Sequence, residues 1–356
     1  MLALAAGILP FAVPEVCAAA LREGLALCSG SLLLSLFPFL VVSRLLVQCP
    51  ESDLLALPFR LAAWGIGIRT PCAARVLCIG FLGGFAPAAS AAAQAVRTGQ
   101  LTAEEADALL PACICSGPSF VVLTVGQSLL GSAELGVLLF ASQITANYLT
   151  AALLNRFAGV HSVEQESAAQ ASPAPPRLDE ILADAAITYC KLCGFILFFR
   201  LLAAGAGALL PTGAGTLCAI LLEVCSGCDL ASRTGQWGSL LCCAALSVQG
   251  LSVLLQVRTI CPPEMTLRPL YRARMLHLPL SLALFYLLLP GGEADVFSTL
   301  PARVLLMRRV PPDCALLVFA VCCMAACTLR SGIRQVEQKQ MARNAGGCCI
   351  NSKTLL

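Results

Sequence analysis

Hydrophobic residues in this chain fall into long unbroken stretches rather than alternating with polar ones. Eight windows carry no charged residue: 25–43, 76–96, 108–133, 135–155, 201–222, 234–257, 275–292 and 314–329. About 20 apolar residues cross the hydrocarbon of a bilayer, so each window predicts a membrane helix. An apolar start over 2–14 lacks the basic segment of a signal peptide and predicts a short first helix. A further candidate, 185–199, is interrupted by Lys191.

Several windows contain breakers. Pro38 sits inside Leu36-Phe37-Pro38-Phe39, and Ser116-Gly117-Pro118-Ser119 interrupts the window that starts at 108. Proline removes a backbone donor and clashes with the preceding turn. In lipid the freed carbonyls need partners, so breaks survive where protein or a wet cavity surrounds them. Proline kinks of purely structural origin are also common in membrane helices. A glycine cluster, Gly80-Phe81-Leu82-Gly83-Gly84, precedes Pro87, and Glu223-Val224-Cys225-Ser226-Gly227 lies in the second half. Gly83, Gly84, Pro87 and Gly227 are therefore expected structural breaks, and Gly80 and Gly84 suit close helix packing.

Polar stretches separate the windows. In 97–107, Gly99 marks a turn and Thr102 with Glu105 a capping box. Residues 159–180, rich in Ala, Ser, Pro and Glu, read as a flexible linker between an N-terminal membrane half (1–158) and a C-terminal one (181–330). Residues 331–356 form a polar tail. The positive-inside rule places that tail and the 258–274 loop in the cytoplasm. Arg303, Arg308 and Arg309 ask for the same side, so either 275–292 is a re-entrant hairpin or 294–306 makes an extra crossing or interfacial helix.

Composition narrows the classes. Of 356 residues 58% are hydrophobic and 12% charged, against about 25% charged in soluble domains. Mean hydropathy is +0.84. An ordinary soluble enzyme is excluded, and the fold expected is an all-α polytopic membrane protein. The net charge of +3 and the lack of a basic stripe argue against nucleic acid. The 21 cysteines lie largely in apolar runs, where a thiol packs as a small hydrophobe. Cys190-Lys-Leu-Cys193 and Cys225-Ser-Gly-Cys228 have zinc spacing, but neither His161 nor His277 lies near them, and packing is the preferred reading. No phosphate-binding or dinucleotide-binding loop and no nucleophile elbow occurs, so neither a cofactor nor enzymatic catalysis is expected.

The halves look related. Cys115-Ser116-Gly117-Pro118-Ser119-Phe120 and Ser247-Val248-Gln249-Gly250-Leu251-Ser252-Val253 are both polar, glycine-centred breaks, aligning Gly117 with Gly250 and Ser119 with Ser252. Two weakly similar, inverted repeats with broken or re-entrant helices are expected, of the kind a secondary transporter carries. A chance match of two Gly/Ser patches is the competing explanation.

At these residues the chain resembles the YlbJ (SpoVV-like) sporulation integral membrane proteins, which carry the Gate, or nucleoside-recognition, domain. The resemblance covers about 33–287. It rests on Gly99-Gln-Leu-Thr-Ala-Glu-Glu-Ala-Asp-Ala-Leu-Leu, Ser116-Gly-Pro-Ser-Phe120, Glu134-Leu-Gly-Val-Leu-Leu and Asn147-Tyr-Leu149. Phe37-Pro38-Phe39, Leu222-Glu223 with Gly227, and 246–256 follow in the expected order. The chain departs from the family where Gly84-Phe-Ala-Pro-Ala-Ala89 replaces a Gly-Tyr-Pro-Met-Gly-Ala type segment, with the proline at Pro87 one place later. It also departs at Ile114 and Cys115, where asparagine is usual before Ser-Gly-Pro.

The resemblance implies an architecture similar to concentrative nucleoside transporters. It also implies export of dipicolinic acid from the mother cell towards the spore, across the outer forespore membrane of a bacterium. A dianion in a membrane needs donors in a protected cavity, and helices restarting at Gly117 and Gly250 would aim unpaired N–H groups at it. Ser116, Gly117, Pro118, Ser119, Gln249, Gly250, Ser252 and Gln256 are the substrate-site candidates. Glu223 is a proton- or sodium-coupling group, a partner to an arginine, or a cap for the Gly227 segment. Asn147 suits an interhelical hydrogen bond, while Arg75 and Arg200, at window edges, suit snorkelling. The partners expected are a small organic anion and membrane lipid, with a homo-oligomer left open. The alternatives are a non-transporting assembly protein of the spore envelope and a nucleoside or cation-coupled transporter.

Overall fold

The computed structural model describes residues 2–48, 56–158 and 178–289. The expected span 314–329, the segment 294–306, the polar tail and residues 159–177 of the linker lie outside them. All regular structure among the described residues is helical.

The chain begins with α1 (Leu2–Ala12), α2 (Pro14–Ser29) and α3 (Ser31–Gln48). The expected span 25–43 is divided at Gly30, whose φ of −108° and ψ of −110° end α2, whereas α3 continues through Pro38. One missing donor leaves the rest of the ladder intact, so Pro38 bends a helix without ending it. After α4 (Leu57–Gly65), the expected span 76–96 proves to be a hairpin of α5 (Pro71–Gly83) and α6 (Phe85–Arg97).

Its tip is Gly84, at φ 81° and ψ −165°, a backbone region essentially reserved for glycine. The arms then close tightly. A Cβ on Gly80 would lie 3.2 Å from the Ala88 Cβ, and one on Gly83 would lie 3.0 Å from Pro87. Pro87 sits in the first turn of α6, where its missing N–H would have had no helical partner. The turn is thus at Gly84, with Gly83 and Pro87 fitted against each other beside it.

The second half also holds a helical hairpin and a broken helix. The long α9 (Leu178–Leu209) absorbs both 185–199 and the last residues assigned to the linker. The expected span 201–222 is cut at Pro211, and α10 (Thr212–Leu222) folds back into α11 (Val224–Ser232). Here the tip is Glu223, in extended backbone. Gly227 is not the break; it lies one turn into α11, where a Cβ would come 2.8 Å from the Ile220 Cα.

A helix broken near its middle follows each hairpin. The first joins α7 (Ala103–Cys113) to a π-helix, Ser119–Leu129, through 114–118; the second joins α12 (Gly238–Val248) to α13 (Gly250–Ile260) at Gln249. Thr102 and Glu105 form the full capping box that starts α7. The π-helix is eleven residues long, an unusual length for that geometry. It packs so closely on α8 (Ala133–Ala158) that a Cβ on Gly126 would sit 2.5 Å from the Gly136 Cα. In the second half α14 (Arg268–Leu288) is one helix, so 275–288 is not a re-entrant hairpin.

Contacts fix the two ends of the bundle. At one end Thr70 donates to Glu105 (2.6 Å), Arg97 to the Ile260 carbonyl (3.4 Å) and Thr266 to Asp107 (2.6 Å). Asn155, near the end of α8, reaches the carbonyls of Ile66 (2.9 Å) and Ala108 (3.1 Å) at that same end. Trp237 and Tyr286 lie together at the other. The hairpin α5/α6 therefore opens at the Arg97 end and α10/α11 at the Trp237 end. Ala133–Ala158, Leu178–Leu209 and Gly235–Ile260 are long and apolar enough to span a membrane, the last despite its break. Pro71–Gly83, Ser119–Leu129 and Thr212–Leu222 are shorter apolar helices.

Replacing Gly84 with alanine forces a side chain into glycine-only backbone, at a cost of about 1–3 kcal/mol before any clash. The added Cβ would also meet the Gly117 amide nitrogen at 2.7 Å. Gly194, within α9, has nothing within 4 Å of its added Cβ. Thermal unfolding in detergent should show Gly84→Ala several degrees less stable and Gly194→Ala equal to or above the parent; equal melting of the two would contradict the tip geometry.

Candidate functional site

Each hairpin tip abuts the broken helix that follows it. Gly84 faces Gly117, and a Cβ on Gly250 would lie 2.9 Å from the Glu223 amide and the Leu222 carbonyl. The two breaks then meet, because Gln249 Nε2 donates to Ser116 Oγ at 3.4 Å. This contact joins the halves of the chain. It is closed from solvent, with Ser116 7%, Gln249 1%, Ser252 1% and Gln256 2% exposed.

A helix that stops in an apolar interior leaves carbonyls without partners. At the end of α12, Ala245 receives the Gln249 amide and Leu246 the Gln249 side chain (3.0 Å). The Gln249 turn is left-handed at φ 64°, a shape that folds its side chain back onto the helix end. Two further carbonyls, those of Ser247 and Ile114, are taken by one residue. Arg274, buried on α14, donates Nη1 to Ser247 (3.3 Å) and Nη2 to Ile114. Asn147 Nδ2 adds a donor to Ile114 at 3.4 Å, the interhelical contact expected of it.

Arg274 makes no ion pair with a carboxylate among the described residues. Its charge instead faces two helix C-termini, each carrying about half a negative charge. Around it runs a buried polar chain. Gln143 Nε2 donates to Ser247 Oγ (2.9 Å), Ser247 meets Ser281, and His277 Nε2 pairs with the Gln143 carbonyl (3.2 Å). Amide oxygens of Gln143, Asn147, Gln249 and Gln256 have no hydrogen-bond partner among the described residues, nor has Arg274 Nε. Buried polar atoms are nearly always paired, and these amide oxygens can still accept. An amide offers either its carbonyl or its NH₂ by turning about its last bond.

The site residues expected from sequence divide as follows. Ser116 and Gln249 are in contact, and Gln256 donates to Ser252 at 2.9 Å. Gly117 and Gly250 are the close-packing points of the two breaks. Pro118 caps the π-helix and Ser119 opens it; both are half-buried, and Ser119 makes no side-chain hydrogen bond to the Gln249 cluster. Glu223 is buried at the other tip, where its carboxylate accepts from the amides of Cys225 (2.8 Å) and Ser226 (2.7 Å). That is the capping geometry, with both oxygens engaged. Arg75 and Arg200 do not snorkel freely: Arg75 caps α3 through the Val47 carbonyl (2.7 Å) and Arg200 pairs with Glu23 (2.7 Å).

Sequence reasoning missed Arg274, Gln143, Ser247 and His277. Arg274 was read as the last residue of a cytoplasmic loop. Asp107 holds Thr266 and Leu267 at the start of α14, which carries Arg274 inward alongside α7 as far as its broken end. In that same clasp burial, then the Asp107 charge, push the Cys261 thiol up to about 12. No protein-family model, no curated protein and no solved structure matches the chain.

Replacing Arg274 with glutamine leaves the Ile114 and Ser247 carbonyls short of a donor, at about 1–3 kcal/mol for each group left unsatisfied. Thermal unfolding of the purified protein should show a large loss for Arg274→Gln and partial recovery for Arg274→Lys, which keeps the charge without the fork. Equal stability of all three would remove the pinning role.

Proposed function

We infer that the protein is a membrane carrier of a small organic anion. The observation that supports this most is the buried contact between Ser116 and Gln249, which places polar groups from two helix breaks together in an apolar interior. Irregular backbone survives at such depth where protein buries it or it lines a cavity, and polar side chains held there are candidates for a transport path. The two hairpin-plus-broken-helix units open at opposite ends, and we read them as an inverted repeat like that of concentrative nucleoside transporters.

Selectivity for anions follows from charge. The two helix C-termini at the junction are offset by Arg274, while the N-terminal ends of the π-helix and α13 keep their partial positive charge. The cargo favoured by the family resemblance is dipicolinate, a planar dianion whose carboxylates accept from serine hydroxyls and turned amides. Export from the mother cell during sporulation, across the outer forespore membrane, is the corresponding role. Arg97, Arg258, Arg268 and Arg272 gather at one end, which the positive-inside rule assigns to the cytoplasm.

Glu223 enters this reading as a cap. Coupling to a proton or sodium would require its two amide contacts to open in each cycle.

Flux of dipicolinate into vesicles containing the purified protein tests the proposal. Gln249→Ala and Ser252→Ala should each lower the rate at least tenfold at unchanged protein content; unchanged rates would overturn this site. Glu223→Gln should reduce thermal stability while leaving any dependence of flux on pH or sodium intact. Loss of that dependence would make Glu223 the coupling group.

A further inference from the structure

A cavity of about 160 Å³ lies at the Arg97 end, between α3 and α6 of the first half and α9 and α13 of the second. Arg44, Arg97 and Lys191 line it, with Asp184 the one acid. Arg44 is already held by Asp184 and by Thr188 Oγ1 at 3.5 Å. Arg97 spends one nitrogen on the Ile260 carbonyl, at 3.4 Å. Lys191 has no carboxylate partner among the described residues. Three cations and one acid leave a formal charge of +2. Ser90, 3% exposed, also lines the cavity, and its hydroxyl has no partner among the described residues.

Lys191 is exposed thirteen residues into the 32-residue α9, past its acidic first turns, and the cavity gives its ammonium a polar space. A polar stripe starts at the cavity wall. Thr259 borders it, and Gln249, Ser252, Gln256 and Thr259 recur at intervals of three and four, so they share one face of α13. Thr259 Oγ1 donates to the Gln256 carbonyl (2.8 Å) and Gln256 to Ser252 (2.9 Å). A polar stripe therefore leads from the cavity to the Ser116–Gln249 junction, bounded on the α6 side by Ser90.

We propose that this cavity is the docking site for a doubly charged oxyanion, held by Arg97 and Lys191 before it passes down the α13 stripe to the junction. The inference rests on the carrier reading and adds where cargo enters and which residues select it. A cavity of about 150 Å³ accommodates a six-membered ring, so one aromatic dicarboxylate fits with a carboxylate towards each free cation. The formal charge of +2 matches a dianion better than a monoanion. A phosphate-bearing lipid headgroup carries related chemistry and is the other source of an oxyanion at this depth.

The test is calorimetric titration of the full chain in nanodiscs, with dipicolinate and inorganic phosphate as probes. Discs of zwitterionic lipid are compared with discs containing phosphatidylglycerol, and flux is measured on the same preparations. Arg97→Gln should weaken dipicolinate binding about tenfold or more, the loss of one charge-assisted contact. Arg97→Gln combined with Lys191→Gln should abolish binding, at an unchanged melting temperature. Ser252→Ala should keep binding and lose flux. Binding that ignores both cationic substitutions overturns the docking site, and if flux persists in those variants the carrier reading stands without it. Binding that obeys them while the parent chain moves nothing overturns the carrier reading and leaves an anion-binding membrane protein. If phosphatidylglycerol occupies the cavity and neither free dianion binds, the oxyanion is a headgroup and the docking role is overturned.

Discussion

Backbone polarity in an apolar interior is the constraint on which this architecture depends. A continuous helix satisfies its own amides and carbonyls, but a broken one exposes several of each at the break. Here two breaks lie side by side, and Arg274 takes a carbonyl from each, one at Ile114 and one at Ser247. Its position opposite two helix C-termini lets a buried guanidinium do without a carboxylate. Gln249 completes the arrangement by folding back onto Leu246 while reaching Ser116.

The tips of the hairpins serve the same requirement from the other side. Gly84 can press on Gly117 because neither carries a side chain, and the close approach excludes lipid from the break. Glu223 solves the second tip differently, since its carboxylate replaces the missing turn by accepting two amides of α11. One tip is closed by the absence of atoms and the other by a charge.

Much of this was legible in the residues. Charge-free windows marked the apolar segments, the capping box at Thr102 was found in place, and the breaks fell within 114–118, which holds Gly117, and at Gln249, next to Gly250. The direction of the chain after each break was not legible. A window such as 76–96 has the length of a span, and only Gly84's positive φ together with small residues at Gly80 and Ala88 reveals a hairpin. Gly227 was assigned a break because glycine is the usual marker, whereas the turn was made by Glu223 in ordinary extended backbone. Arg274 was hidden for a related reason. Hydropathy scores a residue by type, and a cation at the head of an apolar helix looks like a loop until the helix is packed against a neighbour's broken end.

Ser116 and Gln249, one from each half, meet at the buried junction, and the proposed carrier works only if that contact opens to let cargo pass. In a background lacking reactive cysteines, Ser116→Cys combined with Gln249→Cys places two thiols across that contact, and oxidation can lock them. Dipicolinate flux into vesicles should stop on oxidation and return on reduction, with the single variants unaffected by either treatment. A cross-linked protein that carries dipicolinate at its reduced rate would contradict the account.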